Sequence, residues 1–183
     1  MAKSLSQKTR SVSRKIGLKS NNMDKIKEIF YEFPLENFTI RGIANKTKIP
    51  KSTVNVYLEK LKSEGLVNKN NQFTNSNYFK IKKTHYYIEK MFEIGLMDYL
   101  IKELTPETII LFGSFRKGES VKESDLDLFV VSHTEKKLNL AKFEKKLKHK
   151  IELHLKTSIN QLHDNLFNNV VNGIKLFGSF KVK

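Results

Sequence analysis

Apolar positions along the first third of the chain recur with helical spacing. Met23, Ile26, Ile29, Phe30 and Phe33 form one stripe that ends at Pro34, which predicts a first helix. Thr39 is placed to cap a second, short helix from Ile40 to about Thr47, with Ile40, Ile43 and Ala44 inward, and Ile49-Pro50 breaks it. Ser52 or Thr53 opens a third, along which Val54, Leu58 and Leu61 make a stripe that stops at Gly65, a residue suited to a left-handed helix end. Beyond it come Leu66-Val67, a polar patch from Asn68 to Asn71, and Phe73 to Ile81 with strand-like apolar spacing, together predicting a β-hairpin wing.

Between Tyr86 and Leu104 the apolar residues (Tyr87, Ile88, Met91, Phe92, Leu96, Tyr99, Leu100, Leu104) cover more than one narrow stripe. This segment reads either as a connecting helix packed on both neighbours or as a dimer interface. The pattern then changes period. Thr108 to Ser114 is a buried-type strand ending in Gly-Ser, Asp125 to Val131 alternates, and so does Lys150 to Lys156, with Ile151, Leu153 and Leu155 on one side. Lys136, Lys137, Lys142, Lys145, Lys146 and Lys148, opposite Leu138, Phe143 and Leu147, predict an amphipathic helix with a solvated basic face. Ser158 caps a helix reaching about Phe167, on which Asp164 is an ordinary surface acid. Leu176 to Phe180 repeats the text of Leu111 to Phe115 but has no acidic pair after it, and reads as a plain C-terminal strand.

Charge adds a partner to this picture. The 183 residues carry 34 Lys and Arg against 19 Asp and Glu, a formal net charge of +15. The excess is concentrated: residues 1–83 hold 18 basic residues against 6 acids, whereas 84–183 hold 16 against 13. A polyanion partner follows for the first half. Residues 1–21, with Lys3, Lys8, Arg10, Arg14, Lys15 and Lys19 and no acid, read as a basic arm. The absence of Cys excludes disulfides, thiolate zinc sites and Cys nucleophiles. No apolar run has signal-peptide or membrane-spanning length, so the expected location is cytoplasmic with no membrane partner.

Candidate chemistry lies in the second half. Asp125 and Asp127 alternate with Leu126 and Leu128, so both carboxylates are expected on one face of a strand. Such a pair repels itself unless cations intervene, and oxygen ligands select Mg²⁺ or Mn²⁺. Glu152 falls on the polar side of its own strand as a third ligand or a base, while His154, on the same side, is read as a bystander. Gly113 lets backbone approach a phosphate, Ser114 offers a hydroxyl and an N–H, Arg116 and Lys117 add positive charge, and Gly118 permits a turn toward Asp125.

Two resemblances organise these motifs. The run Ile43-Ala44, Ile49-Pro50-Lys51-Ser52-Thr53-Val54, Leu58, Leu61 and Glu64-Gly65-Leu66-Val67 resembles the winged helix-turn-helix family over residues 22–83. That likeness implies a third helix in the major groove of duplex DNA, with Lys51, Ser52, Thr53, Asn55 and Lys60 as outward contacts and Asn55 as base reader. A winged helix used for dimerisation or protein docking is the alternative. Gly113-Ser114, Asp125-x-Asp127 and Glu152 resemble the polymerase-β-type nucleotidyltransferases, and their compact minimal branch in particular, over 106–183. Arg116 stands where that branch commonly has Ala, Lys117 where it has Arg, and Glu152 where Asp is commoner.

The expected protein is thus α/β (α+β): a basic arm (1–21), a winged helix-turn-helix (22–83), a connecting helix (84–105) and a small mixed-sheet nucleotidyltransferase domain (106–183). The resemblance implies Mg²⁺-dependent transfer of NMP from an NTP, ATP by family likeness, with Asp125, Asp127 and Glu152 catalytic and metal-binding and Gly113, Ser114, Lys117 and Gly118 on the nucleotide. The acceptor is open and includes proteins. The alternative is a DNA-binding regulator whose second domain holds nucleotide without turnover.

Overall fold

The computed structural model describes residues 22–134 and 136–181. The basic arm lies outside these residues. Three helices open the fold: α1 (Asn22–Glu32), α2 (Ile40–Thr47) and α3 (Lys51–Ser63). The Thr39 hydroxyl caps α2 by accepting from the Gly42 N–H at 3.0 Å. Helix α3 begins at Lys51, one or two residues before the expected Ser52 or Thr53, because the Pro50 carbonyl rather than a hydroxyl closes its first turn, accepting from the Val54 N–H at 3.0 Å. Ile26, Phe30, Ile43, Val54, Leu58 and Leu61 are buried together, each contributing roughly 1.5–3 kcal/mol of apolar transfer.

The wing is shorter than expected. Val67 and Phe73 form a single antiparallel bridge, with the Asn68 carboxamide oxygen accepting the Asn70 and Gln72 N–H groups across the turn. The strand expected over Phe73 to Ile81 does not form. Ser76 instead caps a 17-residue helix, α4 (Asn77–Glu93), by accepting from the Phe79 N–H. Its buried positions Phe79, Lys83, Tyr87 and Met91 have a spacing of four, and the lysine among them hides the apolar period. At Ile94-Gly95 the chain turns through a left-handed glycine into α5 (Leu96–Leu104), so the expected single helix from Tyr86 to Leu104 is two.

The rest is a four-stranded mixed sheet. Strands β1 (Thr108–Leu111), β2 (Leu126–Val131), β3 (Ile151–Lys156) and β4 (Ile174–Gly178) lie in the order β3-β2-β1-β4. β1 is antiparallel to β2 and to β4, while β2 and β3 are parallel, joined across α7 (Ala141–Leu147). One sheet face (Ile109, Leu111, Leu126, Leu128, Val130, Ile151) packs on the helices of the main core, and the other (Ile110, Phe112, Phe129, Val131) on a smaller cluster with Ile159 and Val170. The helix expected from Ser158 is a 3₁₀ turn, Ile159–Gln161, followed by α8 (Asp164–Val171). The repeated Leu-Phe-Gly-Ser-Phe text is used twice differently: Gly178 lies in β4 against the Glu107 carbonyl, where a Cβ would sit 1.8 Å from that oxygen.

Helix α1 is tied to the sheet domain by charge as well as by packing. Glu28 pairs with Lys90 and, at 3.3 Å, with Lys148; Glu32 lies 3.3 Å from both Lys122 and Lys148. Burial opposes the Glu28 charge, but the two lysines outweigh it and hold the carboxyl below its ordinary pKa.

Candidate active site

The acidic motif assembles at the edge of the smaller core. Parallel pairing of β2 and β3 puts Asp127 directly beside Glu152 and Phe129 beside His154, so Asp127, Glu152 and His154 project from one face. One ligand atom from each of these three lies within 4.8 Å of the others. Burial, then the Glu152 carboxylate, and also Asp125 raise the Asp127 pKa above its ordinary value, with His154 acting the other way. The His154 Nε2 stands 3.3 Å from Glu152 Oε1, and its ring meets the Phe112 ring with centroids 5.2 Å apart. His154, a bystander by sequence, therefore shares the carboxylates' space; its position two residues after Glu152 on the same alternating face is the signal that marks it. Asp125 precedes β2, is exposed, and stands outside that three-residue set while still acting on Asp127 through charge.

Gly113 explains how the next segment reaches the site. After Phe112, whose N–H donates to the Asp127 carbonyl at 3.1 Å, the chain adopts φ +69° at Gly113 and enters the short helix α6 (Gly113–Lys117). A Cβ on Gly113 would fall 1.9 Å from Asp127 Oδ2, so only glycine lets the helix start against the carboxylate. Ser114 follows, half-buried.

Arg116, Lys117 and Gly118 are drawn the other way. Arg116 and Lys117 line a cavity of about 590 Å³ with Lys80, Ile81, Thr84, His85, Ile88 and Ile174, and none of the three acids borders it. Gly118 (φ +69°) rests on α4, where a Cβ would meet the Lys80 carbonyl oxygen at 2.3 Å. The Thr84 hydroxyl donates to the Phe115 carbonyl (3.0 Å) and lies 3.3 Å from that of Arg116, the buried Lys83 ammonium donates to the Ser120 carbonyl, and Lys80 pairs with Glu119 at 2.6 Å. Phe115 packs edge-on against Tyr87 and His149. Sequence reasoning missed this clamp, because Lys83 and Thr84 sat within a stretch read as wing and linker. His149 Nδ1 lies 2.9 Å from the Ser124 carbonyl and Nε2 3.2 Å from the Tyr87 hydroxyl; burial lowers its pKa, so the neutral ring donates through Nδ1 and accepts at Nε2.

On the other domain, Lys51, Ser52, Asn55 and Lys60 are exposed on α3 and Thr53 is half-exposed, while Val54, Leu58 and Leu61 face the core. No helix among the described residues is long and apolar enough to cross a membrane.

Comparison with known families agrees with both halves. Residues 95–181 match the family model described as polymerase beta, nucleotidyltransferase, taking in α5 and the whole sheet. Residues 35–69 match that of the bacterial regulatory protein, arsR family, which spans α2, α3 and the turn after them. No curated protein and no solved structure matches the chain. The chain carries an arsR-type helix-turn-helix ahead of a nucleotidyltransferase domain of the polymerase-β family.

Proposed function

We propose that this protein transfers a nucleoside monophosphate from an NTP, ATP in the first instance, to an acceptor hydroxyl, and that its helix-turn-helix binds duplex DNA. The observation that carries the first part is the seating of Gly113 against Asp127, with Glu152 beside it. The second rests on the exposed Lys51, Ser52, Asn55 and Lys60 of α3 in a strongly basic half-chain.

The donor set fits a divalent cation. Burial first, and then the Glu152 carboxylate crowding the same space, raise the Asp127 pKa, and a cation between the two carboxylates would offset their repulsion. Asp127 and Glu152, with Asp125 at the strand entrance, would hold Mg²⁺ or Mn²⁺; the His154 imidazole is a softer donor and suits Mn²⁺ better. Bound there, such an ion supplies positive charge to the phosphoryl oxygens. Gly113 leaves room for phosphate at the backbone, Ser114 presents its hydroxyl and N–H to the phosphates, and Lys117 contributes charge from an exposed stem at the far end of α6. Glu152, the more exposed carboxylate, takes the proton of the acceptor hydroxyl as it attacks the α-phosphorus and pyrophosphate leaves. The acceptor class in this reading includes a protein side chain, and a cytoplasmic setting belongs to the same proposal.

The test uses α-labelled ATP with Mg²⁺ or Mn²⁺, the full chain, and a lysate as acceptor source. Label is expected to move to an acceptor and to stop with Asp127→Ala. Equal labelling by the variant would remove Asp127 from the site. Nucleotide binding by the wild type without any transfer would favour a regulator that holds nucleotide.

A further inference from the structure

The cavity bordered by Arg116 belongs to neither half of the proposed activity. It lies where α4, the end of α6 and the first residue of β4 meet, and none of the three acids borders it. Its volume of about 590 Å³ falls within the range of small-molecule sites. The floor is hydrocarbon, made by Ile81 and Ile88, two turns apart on α4, and by Ile174 of β4. Ile81 is 66 % exposed, so this aliphatic surface faces solvent and takes no part in the core. From Ile81 to Ile88, at about 1.5 Å of rise per residue, the floor runs about 10 Å.

Charge around the cavity is unbalanced. None of its described lining residues is acidic. Lys80 adds no net charge, because Glu119 pairs with it at 2.6 Å, and the same carboxylate feels the charge of Lys117. His85 stands 3.7 Å from Glu89. The half-buried Arg116, by contrast, has no ion-pair or hydrogen-bond partner for its guanidinium among the described residues. Its backbone is held: the Thr84 hydroxyl lies 3.3 Å from its carbonyl, Phe115 before it is fully buried, and Gly118 beyond it rests on the Lys80 carbonyl. A planar fork launched from a fixed backbone meets a carboxylate through two parallel hydrogen bonds with little ordering left to do. We propose that this cavity binds a small carboxylic acid with a hydrocarbon body, its carboxylate on the Arg116 guanidinium and its body along Ile81, Ile88 and Ile174. One unpaired guanidinium balances one negative charge, so a phosphate ester with two is the poorer fit. The inference needs neither nucleotidyl transfer nor Lys117, which the proposed function places on the nucleotide.

Calorimetric titration of the full chain with octanoate, long enough to span the floor, tests the site. Acetate carries the charge without the body, and 1-octanol the body without the charge. Octanoate is expected to bind with a Kd below about 1 mM, at least tenfold more tightly than either control. Arg116→Gln should weaken octanoate at least tenfold and leave 1-octanol unchanged. Ile81→Asp changes an exposed side chain, so the fold survives, as circular dichroism would check, while octanoate binding is lost. Amide shifts in the wild type should centre on Ile81, Thr84, Arg116 and Ile174. No saturable binding up to about 10 mM, 1-octanol as tight as octanoate, octanoate binding indifferent to Arg116→Gln or to Ile81→Asp, or shifts centred elsewhere would overturn the inference. Sedimentation showing that Ile81→Asp dissociates a wild-type oligomer which octanoate leaves intact would assign the cavity to a second copy of the chain and overturn it equally.

Discussion

Replacing Gly113 with Ala separates the two demands made on that residue. The first is conformational: φ +69° costs a residue with a Cβ roughly 1–2 kcal/mol. The second is spatial, because the new methyl would stand 1.9 Å from Asp127 Oδ2 and 2.8 Å from its Cγ. An ordinary contact requires the carboxylate to retreat by on the order of 1.5 Å, and a misplacement of about 1 Å at a reacting centre is sufficient for a hundredfold loss of rate. Half-buried Asp127 can yield by rotating its side chain, at about 0.5–1.5 kcal/mol off its rotamer. The fold should therefore survive, with about 2–3 kcal/mol lost, while transfer or metal-dependent nucleotide binding falls at least a hundredfold. Gly65→Ala supplies the control: its φ is +71° and nothing lies within 4 Å of the added Cβ. It should cost the conformational part alone and leave transfer unchanged. Urea denaturation and labelled-nucleotide transfer on both variants make the comparison. Transfer by Gly113→Ala within about threefold of wild type would refute the placement of Asp127 against this turn.

Three further outcomes follow from the same contacts. Thr84→Val removes the hydroxyl that Phe115 and Arg116 share; it should lower stability by about 1–2 kcal/mol and raise the nucleotide KM more than it lowers kcat, with Thr84→Ser restoring both. Lys83, fully buried, has its pKa lowered by burial to about 8, so between pH 8 and 10 the unfolded state binds more protons than the folded one and stability rises with pH. Over those two units the gain approaches about 2.7 kcal/mol, a slope that denaturation of Lys83→Met should lack; the same slope in the variant would dissociate it from this lysine. On DNA, Asn55→Ala should cost about 1–3 kcal/mol of discrimination at one base pair, whereas Lys60→Ala should weaken all duplexes alike and reduce the salt slope by about 1, as measured by fluorescence anisotropy at several salt concentrations.

The helix-turn-helix was legible because each of its helices buries one regular stripe, with Thr39 capping the start of α2 and the left-handed Gly65 standing just past the end of α3. The pairing of Asp127 with Glu152 was legible for a related reason: alternation in β2 and β3 fixes which face each acid takes, and only the strand register remained to be supplied. Register is a long-range property, and it decided two things the alternation could not. It brought His154 in beside Glu152, and it left Asp125 before the first paired residue of β2, outside the closest cluster. The start of α3 at Lys51 for Ser52 was missed where the Pro50 carbonyl closes the turn and no side chain announces it, whereas the Ser158 hydroxyl does cap its turn, accepting from the Asn160 N–H at 3.2 Å, and what failed there was the length of the element.

The misreading of α4 has a different cause, and it bears on how the molecule works. A helix on the surface of one domain shows a single apolar stripe, and its period declares it. Helix α4 serves several surfaces at once. Phe79 packs on Phe73 of the wing and on Tyr31 of α1, Lys83 and Thr84 donate into the segment around α6, Tyr87 meets Phe115 edge-on, and Lys90 reaches Glu28. Polar and apolar residues are therefore both buried along it, and neither period 3.6 nor period 2 stands out from its sequence. The consequence is mechanical. The wing of the helix-turn-helix and the Gly-Ser helix of the nucleotidyltransferase domain are held by successive turns of one rigid element, about 1.5 Å of rise per residue from Phe79 to Thr84. On the proposed function, a displacement of the wing on a duplex would reach the carbonyls of Phe115 and Arg116 through the Thr84 hydroxyl, and through them the turn in which Gly113 meets Asp127. Saturating duplex DNA should accordingly change the nucleotide affinity of the wild type, the coupling should shrink in Thr84→Val, and nucleotide should alter DNA affinity by the same factor. Equal coupling in wild type and variant would show that the signal does not pass through this hydroxyl.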